Sequence, residues 1–400
     1  MIMSEDGDKE IVGYKQQPGK LPFSKPGSGG KDGLSRPTDP MMIPESRGGG
    51  LSQPWGPHRH DNLVSGQVIG KPTALVDGGW KVTGQAHYGD DVRIPGELVG
   101  RIVRSPHHYA RVLSVDFSEA IRLPGVVAIA TGQDAKNKFG VLPVTKDEHA
   151  MAVDKVRHAG DLVACIAAED EATAREAERL IEVEYEILDS IHDMREGLED
   201  SENPIHDRGI YHIGESNIQK RVFQEFGDVS RMTESSVASH KQNWVFAGVN
   251  HAFTEPHAVV AHWDPSGRLT LYTPQQVPHY VHRALADVLE IPMHQINVHR
   301  TFVGGGFGGK SDPFPHEMCA AILARKSGRP VRITFDREEV YWVNRGRHPS
   351  RIEMNLHADS EGRICSIETD ALIDGGAFAS FGHVTTYTTE FYIRRPTKLG

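Results

Sequence analysis

The sequence predicts an α+β fold, with two ordered domains behind a polar extension. Three observations lead there. Residues 161–188 read strand, helix, strand; residues 295–326 read strand, glycine-rich loop, helix; and residues 1–62 hold almost no sustained apolar pattern. Strands and helices joined by short connections pack as layers, each burying one face against the next.

The extension, residues 1–62, is rich in Gly, Pro, Ser and charge. Such a segment cannot bury enough apolar surface to offset the entropy of ordering it, so disorder is expected. The first domain, residues 63–189, alternates apolar and polar residues from Leu98 (LVGRIVRSPHHYARVLSVDF), then turns at Pro124-Gly125 into VVAIATG. Period-two alternation with turn punctuation reads as strands. Residues 161–168 (DLVACIAA) form a nearly continuous apolar strand. Asp170 is placed to cap a helix over 171–181, in which Ala174, Ala177, Leu180 and Ile181 share a face. Residues 182–188 (EVEYEIL) alternate as a further strand. A polar stretch, 190–216, reads as a linker.

The second domain, residues 217–400, is predicted to hold strands over 244–260 and 269–272, then a helix over 280–289 stopped by Pro292. A strand over 295–303 enters the glycine loop. A helix over 317–326 leaves it and ends at Gly328-Arg329-Pro330. Strands follow at 331–335, 351–356 and 364–372.

Composition narrows the function. With 44 basic and 54 acidic residues the formal charge is −10, which argues against a nucleic-acid or anionic-membrane partner. Cys165, Cys319 and Cys365 are far apart, with no CxxC pair. Structural disulfides, a thiolate zinc site and an iron–sulfur cluster housed in this chain are therefore not expected, and all three read as small buried hydrophobes. The N-terminus has no apolar signal region, and no segment approaches the ~18 apolar residues of a membrane span. A cytoplasmic protein is expected.

The chemistry concentrates in residues 301–311, TFVGGGFGGKS. Glycines let a bulky group approach the main chain, and the N–H groups of such a loop can face an anion or an oxo group. Residues 304–311 satisfy the phosphate-loop pattern GxxxxGK[ST], in which Lys310 would reach phosphates and Ser311 a magnesium ion. Pro313 and Pro315 oppose it, falling where the helix would have to begin. The preceding strand also carries His299 and Arg300, whereas a central parallel strand is nearly all apolar. A second candidate is a metal site. On a strand His251, Glu255 and His257 would share one face, with His262 beyond, although Pro256 interrupts the pattern and a buried polar pocket wall fits better. Residues 336–339 (DREE) read as a solvated helix start or loop, and no GxSxG or HExxH pattern occurs.

A further pattern explains the loop best. FVGGGFGGK between a strand and a helix resembles the molybdenum-site motif of the xanthine oxidase (molybdenum hydroxylase) family's large subunit. Other segments resemble that family in order and spacing: KVTG at Lys81, RSPH at Arg104, GDLVA at Gly160, Glu255-Pro256-His257, TPQQ at Thr273 and RGRHP at Arg345. The resemblance covers about residues 68–385. It implies an α/β hammerhead domain followed by the first, mixed α/β part of a molybdopterin-binding domain. Within the family, residues 139–143 (FGVLP), 249–251 (VNH) and 276–282 (QVPHYVH) are most similar to the large subunit of 4-hydroxybenzoyl-CoA reductase.

The resemblance also implies roles. Gln276 is expected to hydrogen-bond an oxo ligand of molybdenum, as a neutral donor that leaves the metal's charge balance alone. Gly306, Phe307 and Gly308 are expected against the molybdenum and its pterin, with loop N–H groups facing the cofactor, and none of them ligates the metal directly. Lys310 becomes a support for the loop. Ser311 stands where purine-oxidising relatives carry a substrate-orienting glutamate, which argues against xanthine and for a more neutral pocket. The implied cofactor is molybdenum–molybdopterin, the cytosine dinucleotide form being one option. Iron–sulfur clusters and FAD are expected on partner subunits. The family's large subunits run to about twice this length, and their second half supplies the general-base glutamate and most pterin contacts. That half has no counterpart here, as in a truncated product, a frameshifted terminus or one half of a split subunit whose partner is a C-terminal half, and this chain alone is expected to be inactive.

Overall fold

The computed structural model of the chain describes residues 75–199, 204–206 and 217–393. The predicted extension, most of the linker and the last seven residues lie outside them. The chain falls into two compact units. Of the smaller, residues 7–86, only 75–86 are described, and they hold helix α1 (Gly78–Val82).

The larger unit runs from His87 and carries the rest. Its elements, in order, begin with β1 (Leu98–Arg104), β2 (Ala110–Asp116), β3 (Val126–Thr131), β4 (Lys155–Val156), β5 (Leu162–Ala168), α2 (Glu171–Arg179) and β6 (Glu182–Ile187). After the linker come α3 (Val229–Glu234), β7 (Ala238–Phe246), β8 (Ala258–Trp263), β9 (Leu269–Thr273), α4 (Pro278–Leu289) and β10 (Ile296–Arg300). The glycine loop follows, then α5 (Pro315–Ser327), β11 (Val331–Thr334), α6 (Arg337–Val343), β12 (Ser350–Ala358), β13 (Ile364–Ile373) and α7 (Gly382–Ile393).

One mixed sheet of seven strands, ordered β10-β9-β8-β11-β1-β5-β3, takes strands from both sides of the linker. The junction is the parallel pairing of β1 with β11, where Leu98 faces Val331 and Gly100 faces Ile333. Every residue of β5 is buried, as its unbroken apolar run requires. Helix α5 packs over β8, β9, β11, β1, β5 and β3. Residues 316–324 of α5 are all buried, so it is a core helix and not an amphipathic surface one. Leu98, Ile102, Phe139, Met151 and Leu162 belong to one apolar cluster with Phe253, Leu271, Leu285, Met318 and Ile333. The regions read separately in the sequence therefore share a core. Two three-stranded antiparallel sheets, β13-β12-β7 and β4-β2-β6, complete the unit.

Local expectations meet their physical tests. Asp170 caps α2, its Oδ1 accepting from the Thr173 N–H at 2.8 Å. Asp336 caps α6 through the Glu339 N–H at 2.8 Å. Helices α4 and α5 begin two residues earlier than the sequence pattern suggests, at Pro278 and Pro315. Proline suits the first helical position, where its missing N–H would have no partner. The strand predicted over 244–260 is corrected: β7 ends at Phe246, β8 begins at Ala258, and residues 247–257 are an irregular connection. The strand predicted over 295–303 is likewise shorter, β10 ending at Arg300. Cys165 and Cys319 are buried as expected, but Cys365 is only partly so.

Candidate functional site

The glycine loop leaves the carboxyl end of β10 and is closed over residues 251–257, which pave its underside. Three side chains from that segment meet it. A Cβ built on Gly304 would lie 2.6 Å from Glu255 Cβ, and one on Gly309 would lie 2.8 Å from His251 Nδ1 and 2.9 Å from Phe253 Cε1. A side chain at either position would force the segment beneath to shift. The segment is no strand, yet every second residue still faces the loop.

Gln276 follows β9 and sits against the loop's other side. Its Oε1 accepts from the Gly308 N–H at 3.0 Å and the Lys310 N–H at 3.3 Å. Its own N–H donates to the Lys310 carbonyl at 2.8 Å. A Cβ on Gly306 would stand 2.4 Å from that same Oε1. Sequence proximity is not what joins Gln276 to Gly306, Phe307 and Gly308; the β9–α4–β10 crossover brings them together. With its oxygen committed to the loop, Gln276 Nε2 has no partner among the described residues.

Gln276 is itself held by what lies behind it. Gln275 Nε2 donates to Glu317 Oε1 at 3.0 Å and to the Asp312 carbonyl at 2.8 Å. Glu317 also accepts from Thr273 Oγ1 at 2.8 Å and from the Phe314 N–H at 3.0 Å, capping α5. Burial lifts the Glu317 carboxyl to about 7 in spite of these donors. The carboxylate of Asp312 accepts from Arg345 and Ser380, and Arg345 also bridges to Glu148 from the connection before β4.

Phe307 departs from ordinary backbone. Its φ is 53° and its side chain is 75% exposed. A left-handed conformation in a non-glycine residue holds about 1–3 kcal/mol of strain, and such strain gathers at functional loops. Gly305 and Gly308 beside it are also left-handed, at φ 101° and 97°. The expectation that the loop's N–H groups as a set face a cofactor is corrected. Those of Gly304, Gly308, Gly309, Lys310 and Ser311 bond within the chain. Within residues 304–311 only those of Gly305, Gly306 and Phe307 lack a partner among the described residues.

The phosphate-loop reading fails on geometry. Lys310 is 1% exposed, and its Nζ bonds Glu255 Oε2 at 2.8 Å and lies 4.6 Å from the centroid of the Phe253 ring. Burial holds the Lys310 ammonium below its usual range although the carboxylate opposes this. Helix α5 begins at Pro315, five residues after Lys310, so no helix N-terminus faces the loop as a phosphate site requires. The metal reading fails too. His251 bonds Asn344 at 3.1 Å, Glu255 is committed to the loop, His257 is buried among Phe253, Phe314, Phe335 and His316, and His262 lies on β8. Among the described residues no group of three or more His, Cys, Asp or Glu could hold a metal ion.

Ser311 is half-buried, its N–H on the Gly308 carbonyl at 3.2 Å. A cavity of about 640 Å³ runs along the loop's far edge, bordered by Gly308, Gly309, His251, Asn344, Arg345 and Arg347. Of the residues expected at the molybdenum site only Gly308 borders it. Sequence reasoning grouped His251 and Glu255 on one face of a pocket wall, but missed Phe253 and the glycine loop as what that face meets. The one available signal was the period-two spacing of those residues.

Residues 83–189 match the family described as "Aldehyde oxidase and xanthine dehydrogenase, a/b hammerhead domain", and residues 212–396 match "Molybdopterin cofactor-binding domain". The nicotinate dehydrogenase large molybdopterin subunit of Eubacterium barkeri is 33% identical over 318 residues, 79% of this chain and 72% of that one. The xanthine dehydrogenase molybdenum-binding subunit of Escherichia coli O157:H7 is 32% identical over 325 residues, 77% of this chain but 41% of its own length. Among solved structures, CO dehydrogenase from Oligotropha carboxidovorans superposes with a TM-score of 0.68 at 28% identity, covering 76% of this chain and 39% of that one. Among the described residues no helix is long and apolar enough to cross a membrane. With the fold, the glycine loop and both segments in agreement, the chain belongs to the xanthine dehydrogenase and aldehyde oxidase family of molybdenum-binding subunits.

Proposed function

We propose that the loop over residues 304–311 and Gln276 form one wall of a molybdenum–molybdopterin pocket in the large subunit of an oxidoreductase acting on an aromatic substrate. Gln276 is the observation that carries this. Its oxygen is fixed by two loop N–H groups, so its unpartnered Nε2 is presented as a neutral, oriented donor. An amide in that state suits an oxo or hydroxo ligand, which needs a hydrogen bond and no added charge. The exposed Phe307 and the free N–H groups of Gly305, Gly306 and Phe307 supply an apolar face and donors beside it. The residues present fit such a group as one half of its surroundings.

When bound, the cofactor supplies two-electron exchange coupled to oxygen transfer at a carbon centre. This chain's part is to orient the cofactor's oxygen ligand through Gln276 and to limit approach through Phe307. The general-base glutamate and the opposite wall are what the family resemblance implies for a second half of the subunit. Iron–sulfur clusters and FAD would sit on partner subunits: Cys165 and Cys319 lie side by side in the core, Cys365 lies elsewhere, and three cysteines fall short of the four such a cluster takes.

For the substrate, the 4-hydroxybenzoyl-CoA reductase-like segments favour reductive dehydroxylation of an aromatic thioester. The nicotinate dehydrogenase relative favours a second reading, hydroxylation of an N-heterocycle. Initial rates of the assembled complex on 4-hydroxybenzoyl-CoA with a low-potential donor, and on nicotinate, xanthine and benzaldehyde with an acceptor dye, separate them. The thioester is expected to be preferred and xanthine to be poor, Ser311 offering no carboxylate. Preference for nicotinate selects the second reading, and efficient xanthine turnover contradicts the assignment of Ser311.

A further inference from the structure

We propose that Glu255 is a positioning residue that sets the shape of the glycine loop and, through Lys310, the pose of Gln276. It touches neither substrate nor metal. Its carboxylate gathers three donors from three places in the chain. Oε2 accepts from the Gly304 N–H at 2.6 Å and from Lys310 Nζ at 2.8 Å, and Oε1 accepts from the Gly89 N–H at 3.0 Å. Gly304 opens the loop and Lys310 closes it, so one oxygen pins both ends. The Glu255 N–H also donates to the Gly304 carbonyl at 3.2 Å, which fixes the loop's first residue on both sides.

The clamp reaches Gln276 by two further bonds. Lys310 gives its N–H to Gln276 Oε1 and takes the Gln276 N–H on its carbonyl. Lys310 cannot swing away, because its side chain is sealed under the loop over Phe253. Glu255 is fixed from below in turn. Arg337 donates to the carbonyls of Phe253 and Thr254 at 2.7 and 2.6 Å, which anchors the segment that carries it. Glu255 itself keeps 11% side-chain exposure against 1% for Lys310, so the ammonium depends on this carboxylate for compensation. Removing one partner of such a pair leaves an uncompensated buried charge, whereas neutralising both does not.

That asymmetry separates positioning from bulk stability. The role in cofactor positioning rests on the proposed molybdopterin pocket; the clamp on the loop does not. Hydrogen-exchange mass spectrometry on the full chain is run for the parent, Glu255→Gln, and the double variant Glu255→Gln with Lys310→Met. Glu255→Gln is expected to speed exchange in peptides covering 304–310 at least tenfold and to lower the melting temperature. The double variant is expected to recover the melting temperature and retain the fast loop exchange, with α5 and β8 protected as in the parent. Parent-like loop exchange in the double variant overturns the clamp, as does loosening spread evenly over the chain. Molybdenum and pterin content of the assembled enzyme is measured in parallel. A parent without either contradicts the pocket and leaves the exchange result to decide the clamp. A parent with both, and a double variant that keeps them in full, overturns the positioning role alone.

Discussion

Gln276 and Gly306 each constrain the other. The amide of Gln276 occupies the space that any side chain at 306 would need, with Oε1 2.4 Å and Cδ 2.7 Å from the position of an added Cβ. Gly306→Ala must therefore push Gln276 off the Gly308 and Lys310 N–H groups. The molybdenum content of the assembled enzyme is expected to fall roughly tenfold, the effect of about 1.4 kcal/mol of affinity. Its melting temperature should move little, because the loop lies over the core and not in it. Metal analysis beside thermal unfolding checks this, and unchanged molybdenum would show that Gln276 can leave the loop without consequence. At this scale the sequence was informative wherever chemistry is local. The glycines and Gln276 stand in a recognisable order, and the prolines after Ser311 already argued against a phosphate loop. The partner of Lys310 was hidden, because Glu255 lies 55 residues away and its ion pair exists only once the loop has closed.

Helix α5 shows what burial does to polar groups within an element. His316, near its N-terminus, is 1% exposed, and neither ring nitrogen has a hydrogen-bond partner among the described residues. Its ring packs 4.6 Å from Phe335 and 5.2 Å from His257. Burial keeps both histidines neutral. His257 is held down to about 3, with Lys310 adding to the effect, and His316 lies well below its ordinary value with His257 adding. The sign follows from linkage. Below about pH 6.5 the unfolded chain takes up protons that the folded chain refuses, so this stability is present above pH 6.5 and is lost as pH falls. Each histidine contributes a slope of up to roughly 1.4 kcal/mol per pH unit in that range. His316→Phe is expected to leave stability at pH 7.5 equal or higher, having removed two unpartnered buried atoms, and to shallow the acid slope by up to one proton's worth. Urea unfolding at pH 7.5, 6 and 5 measures it; an unchanged slope would mean that His316 is protonated in the fold. The helix itself was legible from its stop at Gly328, whose φ is 66°. Its all-round burial was not, because that depends on a sheet assembled from strands far away in sequence.

The larger unit is organised by that sheet. A linker and two family matches suggest separate folding units, yet β1 pairs with β11 and one apolar cluster contains residues from both regions. Period-two patterns identify strands but carry no information about which edge pairs with which, so this union could not be read from the sequence. Scanning calorimetry of the chain is expected to show the hammerhead and molybdopterin-binding regions melting in one transition, and two resolved transitions would contradict the shared core. The same union places the glycine loop on a rigid support of α5, the sheet and residues 251–257, facing outward with Phe307 exposed. The central claim is that this face is one wall of a molybdopterin pocket whose reach to the cofactor's oxygen is Gln276. The most direct measurement is the molybdenum and pterin stoichiometry of the assembled enzyme, parent against Gln276→Ala. One molybdenum and one pterin per parent chain, with a several-fold loss in the variant, is the predicted result. A parent that carries neither, or a variant that keeps both in full, would contradict it.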